Sequence, residues 1–195
     1  MYLATAVAVR SILVSALILA VAPVALGAQD PPDESVVCMF EARVDHYVQL
    51  HRRVERLVPP QIITSDPYRL FISRWALAAE IRRERQFAKQ GEIFSSEIAA
   101  MFRKIVERTL REDRVDWAVF LEEEGMTLPI TVEVNGNYPG AGPVSTMSPT
   151  LLRALPPLPP ELQYRFVNMH LILWDVHAGL IVDFVPDVFR RTTAP

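Results

Sequence analysis

The chain has 195 residues, with 20 basic and 23 acidic side chains and a formal charge of −3. This near balance gives no reason to expect a nucleic acid or an anionic membrane as partner. The single cysteine, Cys38, excludes an internal disulfide. Its neighbours in sequence are apolar, so we expect a buried, inert thiol and a fold stabilised by packing.

The first 28 residues have the pattern of a secretory signal peptide. Arg10 is their only basic residue, and an apolar run over residues 12–22 leads to small residues. This run is shorter than the roughly 20 residues of a membrane span, which favours cleavage after Gly27 or Ala28 over a retained anchor. We therefore expect an exported protein, periplasmic or extracellular, with no membrane contact after cleavage.

Composition predicts how the rest of the chain is organised. Residues 29–35 are expected to be a flexible N-terminus and residues 36–189 a single α+β domain. Its helical part covers residues 36–125, and its strand and loop part covers residues 126–189, where proline is frequent and charge is scarce. Since neither part can bury its apolar face alone, we expect three or four N-terminal helices packed on one face of a small antiparallel β-meander.

Three helices are predicted from apolar residues at helical spacing. The first covers residues 35–58, the second has Asp66 as N-cap and is stopped by Gly91, and Ser95 or Ser96 caps the third. The predicted buried stripes are Val37, Phe40, Val44, Tyr47, Val48, Val54 and Leu57; then Tyr68, Phe71, Ile72, Trp75, Ala78 and Ala79; then Ile98, Met101, Phe102, Ile105, Val106 and Leu110.

Shorter elements follow the third helix. Residues 115–121 predict a fourth, short helix. Residues 130–134 alternate as ITVEV, which predicts a strand that could join the meander ahead of a turn at Asn135-Gly136. Residues 139–149 are rich in Gly, Pro, Ser and Thr and predict a loop. A helical turn over residues 150–155 then leads into a proline-rich segment.

The C-terminal part predicts a three-stranded meander whose register can be derived. The turn is Asn168-Met169, and Gly179 supplies the left-handed position that closes the loop after Asp175. The predicted pairs are Val167 with His170, Arg165 with Ile172, Gln163 with Trp174, Asp175 with Leu180, and Ile172 with Asp183.

Period-two alternation gives this sheet two unlike faces. The apolar face is expected to carry Tyr164, Phe166, Leu171, Leu173, Leu180, Val182 and Phe184. The mixed face is expected to carry Arg165, Val167, His170, Ile172, Trp174, Ile181, Asp183 and Val185. A binding site on the sheet would use Arg165, Ile172, Trp174 and Asp183, with Arg165 and Asp183 placed to pair across Ile172.

Several strings resemble a family of small exported bacterial proteins of uncharacterised function. They are QGEIFSSEIAAMFR at residues 90–103, VNGNYP at 134–139, and the C-terminal LPPLPPELQYRFV with LILWDVHAGLIVDF. The resemblance covers residues 44–187 and is most specific at the C-terminal block. Where relatives have Gly followed by a basic residue, this chain has Asn168-Met169. The resemblance implies export and supplies no activity.

Histidine and carboxylate donors near the meander indicate a metal site as one alternative. His170, Asp175, His177 and Asp183 have the donor types of a divalent metal site, although the predicted register separates them. Asp175 is expected instead to accept hydrogen bonds from the loop that follows it. His46 and His51 are five residues apart on the first helix, hence on different faces, and are expected to be solvated or capping.

Functional motifs are few. The sequence contains no Gly-x-Ser-x-Gly, His-Glu-x-x-His or glycine-rich phosphate loop, so no catalytic residue or cofactor is predicted. The leading hypothesis is a non-catalytic exported binding or accessory module that binds another exported protein through the mixed face or the loop 139–149. The alternative is a small metal-binding protein or metal-assisted hydrolase that uses His170, His177 and Asp183.

The proline-rich segment gives a third hypothesis. Residues 155–160, LPPLPP, are expected to be extended in polyproline II conformation. They predict either a rigid connector over the domain's own aromatic residues or a docking motif for a proline-binding groove.

Overall fold

A computed structural model describes four stretches of the chain: residues 33–60, 66–113, 131–138 and 147–189. All of them lie in one compact unit. The predicted signal peptide, the fourth helix over 115–121 and most of the loop 139–149 lie outside the described residues. None of the described helices is both long enough and apolar enough to cross a bilayer.

The described elements confirm the α+β class. In chain order they are α1 (Glu34–Glu55), α2 (Pro67–Glu84), α3 (Ser96–Glu112), α4 (Pro149–Ala154), β1 (Leu162–Val167), β2 (His170–Asp175) and β3 (Leu180–Val185). The strands form an antiparallel sheet in the order β1-β2-β3. Helices therefore precede a small meander, as the sequence predicts.

Helix α1 begins earlier and ends earlier than expected. Asp33 caps it by accepting a hydrogen bond from the Ser35 backbone N–H, so residues 33–35 are not a flexible tail. Its buried residues are Phe40, Val44, Tyr47, Val48, His51 and Val54. Three expectations were wrong, because Leu57 is 72% exposed, Cys38 is exposed, and His51 is fully buried rather than solvated.

Helix α2 has the predicted cap and a different buried face. Asp66 accepts a hydrogen bond from the Tyr68 backbone N–H, but the helix ends at Glu84, well before Gly91. The predicted aromatic stripe is exposed: Tyr68 69%, Phe71 64%, Ile72 41% and Trp75 61%. Ala78 is buried as predicted, and the other buried residues are Ser73, Leu77 and Ile81, followed by Arg85.

The buried face of α2 continues to a charged residue, Arg85, because the guanidinium has partners there. Its guanidinium donates to the Val182 carbonyl (3.1 Å) and to Asn135 Oδ1 (2.9 Å), and it lies 5.0 Å from the centre of the Tyr47 ring. A buried guanidinium is tolerated only when its donors are satisfied in this way. These partners orient the α2 residues spaced four apart towards the core and leave the aromatic stripe outside.

Helix α3 buries the predicted stripe, together with Ala99 and Thr109. The Phe102 ring lies 5.0 Å from Phe40 of α1 and 5.7 Å from Tyr164 of β1, measured between ring centres. These aromatic contacts join two helices to the apolar face of the sheet, and Phe94 packs on the same group.

The hairpin between β1 and β2 has the predicted register throughout. Asn168 takes the left-handed conformation (φ 54°) that the two-residue turn requires, and Val167 pairs with His170. Gly179 likewise has φ +70° in the loop that closes with the pair Asp175 and Leu180.

A bulge in β3 overturns the rest of the predicted register. Trp174 pairs with Ile181, but Leu173 pairs with Asp183 and Ile172 with Phe184, so Val182 is the extra residue. Beyond this bulge every side chain changes face. Asp183 therefore lies on the core side, Val185 joins the main core and Phe184 moves to the mixed face.

The mixed face is covered by the chain itself. Ile172 and Ile181 are 0% and 1% exposed and pack with Val132. The Tyr138 ring lies 4.6 Å from Trp174. The predicted strand over residues 130–134 is absent from its described part, residues 131–134. The turn is centred on Val134 and Asn135 and is closed by a hydrogen bond from the Gly136 N–H to the Glu133 carbonyl, one residue earlier than the predicted turn at Asn135-Gly136.

The segment after that turn lies along the edge of β3. Ile181 exchanges hydrogen bonds with Asn135 and Gly136, and the Tyr138 N–H donates to the Gly179 carbonyl. A single bridge pairs Asn137 with Leu180, so a full fourth strand does not form in the described residues. The edge of the sheet is nevertheless paired.

The proline-rich segment packs on the domain, in agreement with the connector hypothesis. Leu155 and Pro156 are buried, and the Pro156 carbonyl accepts a hydrogen bond from the Tyr164 hydroxyl at 3.0 Å. Pro157 and Pro160 are exposed. A docking role for this segment stays a prediction.

Asp183 is fully buried because the bulge turns it towards the loop before α3. Its oxygens accept hydrogen bonds from the backbone N–H groups of Gly91, Ile93 and Phe94, and from its own neighbour Phe184, at 2.7 to 3.0 Å. Burial raises the pKa of this carboxyl, against the effect of the four N–H donors. Asp183 is thus a structural residue and does not meet Arg165.

Asp183→Ala is expected to reduce the free energy of unfolding by about 3 kcal/mol or more, since it leaves buried N–H groups without an acceptor. Urea unfolding followed by circular dichroism measures this loss. Asp45→Ala, at an exposed position of α1, is the control and should change stability by less than about 0.5 kcal/mol. A comparable effect of the two substitutions would contradict the role assigned to Asp183.

The two faces of α2 can be distinguished by truncation. Leu77→Ala removes a fully buried side chain and is expected to cost about 2–5 kcal/mol of unfolding free energy. Trp75→Ala removes a side chain that is 61% exposed and should cost under about 1 kcal/mol. If Trp75→Ala were the more damaging change, the aromatic stripe would be the buried face after all.

Candidate metal centre

The C-terminal end of α1 carries three polar residues on one stripe. Tyr47, His51 and Glu55 are four residues apart, so their side chains follow one another along the same side of the helix. Tyr47 and His51 are buried, whereas the side chain of Glu55 is 34% exposed. The stripe therefore runs from the core to the surface.

The loop between β2 and β3 brings His177 to this stripe. The ring centres of His51 and His177 lie 5.4 Å apart. Glu55 is between them, with Oε2 at 3.8 Å from His51 Nε2 and Oε1 at 3.4 Å from His177 Nδ1. One donor atom from each of the three residues lies within 4.8 Å of the other two.

These distances suit a tetrahedral metal ion. Ligand atoms about 2.1 Å from a tetrahedral zinc lie about 3.4 Å from one another. Glu55 Oε1 lies at that spacing from His177 Nδ1 (3.4 Å), and the other oxygen, Oε2, lies close to it from His51 Nε2 (3.8 Å). One donor atom from each residue lies within 4.8 Å of the other two, so a small side-chain movement would bring a single carboxylate oxygen into place. Two imidazoles with one carboxylate are a donor set that suits zinc and other late transition metals better than magnesium or calcium. Three protein ligands leave one position for water or a substrate.

His51 is held in place by Asp175 at the end of β2. His51 Nδ1 and Asp175 Oδ2 are 2.6 Å apart, and both side chains are fully buried. The Tyr47 hydroxyl donates to the same oxygen at 2.6 Å. His51 Nε2 is also buried and has no hydrogen-bond partner among the described residues. An imidazole nitrogen in such a position is available to a cation.

Carboxylates make the surroundings of His51 favourable for positive charge. Glu55 and Asp175 contact its two ring nitrogens, and Glu161 acts on it at longer range. Glu161 is buried and accepts a hydrogen bond from Arg52 Nε at 2.6 Å. Burial has the largest effect on the pKa of Glu161 and raises it, but the hydrogen bond and charge of Arg52, a backbone hydrogen bond and the charge of His51 together lower this pKa below its usual value. This carboxylate is therefore ionised.

The structure separates the residues predicted as metal ligands. Only His177 belongs to the cluster. The His170 ring packs on Phe184, and its Nδ1 accepts a hydrogen bond from the Asp187 N–H. Asp183 is occupied by backbone N–H groups. Among the described residues, His51, Glu55 and His177 are the one group of three or more such donors that could hold an ion.

The residues predicted for a binding site are also apart. Arg165 donates to Gln163 Oε1 and lies 5.5 Å from the centre of the Trp174 ring. Ile172 is fully buried beneath them. The predicted contact between Arg165 and Asp183 does not form, because the bulge places Asp183 on the other side of the sheet.

His51 and Glu55 were missed although the sequence contains a signal for them. The spacing of four residues on one helix face is typical of paired ligands, and His51 has this spacing with Glu55 rather than with His46. Asp175 behaves as predicted in one respect, since Oδ1 accepts hydrogen bonds from the N–H groups of His177 and Ala178. Its second oxygen had no predicted role.

Comparisons with known proteins leave the site to be judged from its geometry. No protein-family model, curated protein or solved structure matches this chain.

In the metal-free protein, the pKa of His51 is expected to lie above its usual value of 6.5. Burial lowers this pKa, but the hydrogen bond and charge of Asp175, with the charges of Glu55 and Glu161, raise it by more. Protonated His51 therefore stabilises the fold. This contribution is complete below about pH 6.5, the pKa of the unfolded chain, and is lost as pH rises through the folded pKa.

An NMR titration of the His51 ring protons, assigned by their loss in His51→Gln, measures this pKa. The same titration in denaturant supplies the reference for the unfolded chain. A folded midpoint below the denatured one would contradict the expected direction.

Proposed function

We propose that this protein binds a divalent transition-metal ion, with zinc the best fit, through His51, Glu55 and His177. The observation that supports this most strongly is the buried His51 Nε2, which has no hydrogen-bond partner in the described part of the chain and faces Glu55 at 3.8 Å. A buried polar atom without a partner is costly, and a bound cation would satisfy it.

The ligands come from two distant parts of the chain. His51 and Glu55 lie on α1, whereas His177 lies in the loop between β2 and β3. An ion held by all three would tie the helix to the sheet and would stabilise the folded state in proportion to its occupancy. Glu55 and His177 are both about one-third exposed, so the ion has a route from solvent.

Export is part of this proposal. The predicted signal peptide over residues 1–28 would place the site outside the cytoplasm, where the ion is taken from the surrounding medium. Fractionation of cells that produce the full chain checks this. Recovery of the protein in the cytoplasm with residues 1–28 intact would contradict export without affecting the metal site.

Zinc titration of the purified metal-free protein tests the proposed function. We expect one zinc per chain, measured by calorimetry, and an upward shift of the unfolding temperature. His177→Ala and Glu55→Gln change partly exposed ligands and should each weaken binding about tenfold or more. Circular dichroism of the metal-free variants verifies that they are folded.

Two histidine substitutions serve as controls in that titration. His46→Ala changes an exposed residue of the same helix, and His170→Ala changes a residue of the ligand set predicted from the sequence. Both variants should bind zinc as the wild type does. Absence of zinc binding to the wild type, or a loss caused by His170→Ala alone, would overturn the proposed site.

A non-catalytic exported binding module is the second candidate function. The covered sheet face no longer supports it, but the exposed aromatic side chains of Tyr68, Phe71 and Trp75 on α2 do, because aromatic residues are enriched where proteins meet. The comparison of Trp75→Ala with Leu77→Ala described above tests its premise, since a surface available to a partner contributes little to the stability of the isolated chain.

A further inference from the structure

Asp175 contacts both histidines of the cluster, and each of its oxygens serves one of them. Oδ1 accepts hydrogen bonds from the backbone N–H groups of His177 (3.0 Å) and Ala178 (2.7 Å). Oδ2 lies 2.6 Å from His51 Nδ1. One fully buried carboxylate therefore fixes the loop that carries one ligand and the ring of the other.

The hydrogen-bond pattern at Oδ2 sets the tautomer of His51. A carboxylate oxygen can only accept, and it already accepts from the Tyr47 hydroxyl at 2.6 Å. Burial and the neighbouring Asp175 raise the pKa of Tyr47 well above its usual value, so this hydroxyl keeps its proton. His51 must then donate from Nδ1, which leaves the lone pair of a neutral ring on Nε2, the atom that faces Glu55.

We propose that Asp175 is the positioning residue of the metal site: through Oδ2 it holds His51 with Nε2 free to ligate, and through Oδ1 it holds the His177 loop. This inference rests on the proposed function. Carboxylates bonded to the far nitrogen of a metal-bound histidine orient the ring and raise its basicity, and their loss typically costs about 10- to 100-fold in metal affinity. The sequence favours a turn role for Asp175 and predicts no positioning role for it.

Asp175→Asn separates the two roles of this side chain. Its amide oxygen can still accept from His177 and Ala178, so the loop keeps its hydrogen bonds. Its amide nitrogen replaces Oδ2 and donates to His51 Nδ1, which forces the ring proton onto Nε2 and directs it at the ion. Zinc affinity of the folded variant should therefore fall about 10- to 100-fold. The metal-free variant should also be less stable than the wild type, because the buried Tyr47 hydroxyl loses its acceptor.

Asp183→Asn is a matched control for the zinc titration. It changes the other fully buried loop-capping aspartate, which contacts no ligand of the cluster. The folded variant should retain zinc affinity within about threefold of the wild type, because it leaves the bond between Asp175 and His51 unchanged.

Nitrogen-15 NMR of the histidine rings gives a readout that a purely structural role would not move. In the metal-free wild type, at a pH above the His51 midpoint, we expect the proton on Nδ1 and none on Nε2; in Asp175→Asn we expect the reverse. If Asp175→Asn does not fold, the ring nitrogen that carries the proton in the wild-type spectrum tests the inference by itself. A neutral wild-type His51 with its proton on Nε2 would overturn the inference.

The outcomes distinguish this inference from the proposed function. Zinc binding that depends on Glu55 and His177 but survives Asp175→Asn unchanged would overturn the positioning role and leave the metal site standing. Failure of the wild type itself to bind zinc would overturn the proposed function and, with it, any role of Asp175 in metal binding.

Discussion

The buried hydrogen bonds of Asp175 with Tyr47 and His51 are the constraint on which the arrangement of α1 and the sheet depends. A carboxylate is stable in a protein interior only if its oxygens are satisfied, and here two of its partners come from a helix and two from its own loop. Breaking such a buried group of charges typically costs about 3–5 kcal/mol. Rotation of α1 by one residue would remove both helical partners at once, so this contact fixes which face of α1 is buried.

Asp183, in the middle of β3, is stabilised in the same way. Both aspartates are fully buried, and both accept backbone N–H groups of a nearby turn. They differ in one respect, since Asp183 contacts only backbone donors whereas Asp175 also contacts two titratable side chains. Asp183, a structural carboxylate, and Asp175, a carboxylate of the candidate site, thus lie on neighbouring strands. Only their side-chain partners distinguish them.

The sequence predicts those features that are determined by residues close together in the chain. The β1–β2 register follows from Asn168, which can adopt positive φ, and from strict alternation on both sides of it. The register prediction fails in β3 because the run LIVDFV has apolar residues at both odd and even positions. Alternation therefore does not reveal the extra residue of the bulge. The predicted buried face of α2 was wrong because Phe71 and Trp75 are more apolar than Ser73 and Arg85. The burial of Arg85 depends on partners far along the chain, Asn135 and Val182. His51 was missed for the same reason, since its burial becomes comprehensible only beside Asp175.

The distance along the chain between α1 and its polar partners also bears on the order of folding. His51 and Asp175 are 124 residues apart, and Tyr47 and Asp175 are 128 apart. The hairpins can form from neighbouring residues, but closing so long a loop carries an entropy cost that is recovered only when the sheet is present. Until residue 175 has left the ribosome, Tyr47 and His51 of α1 lack the carboxylate with which they form buried hydrogen bonds. A chain truncated before the second hairpin would lack both the ligand loop and the group that makes α1 a core helix.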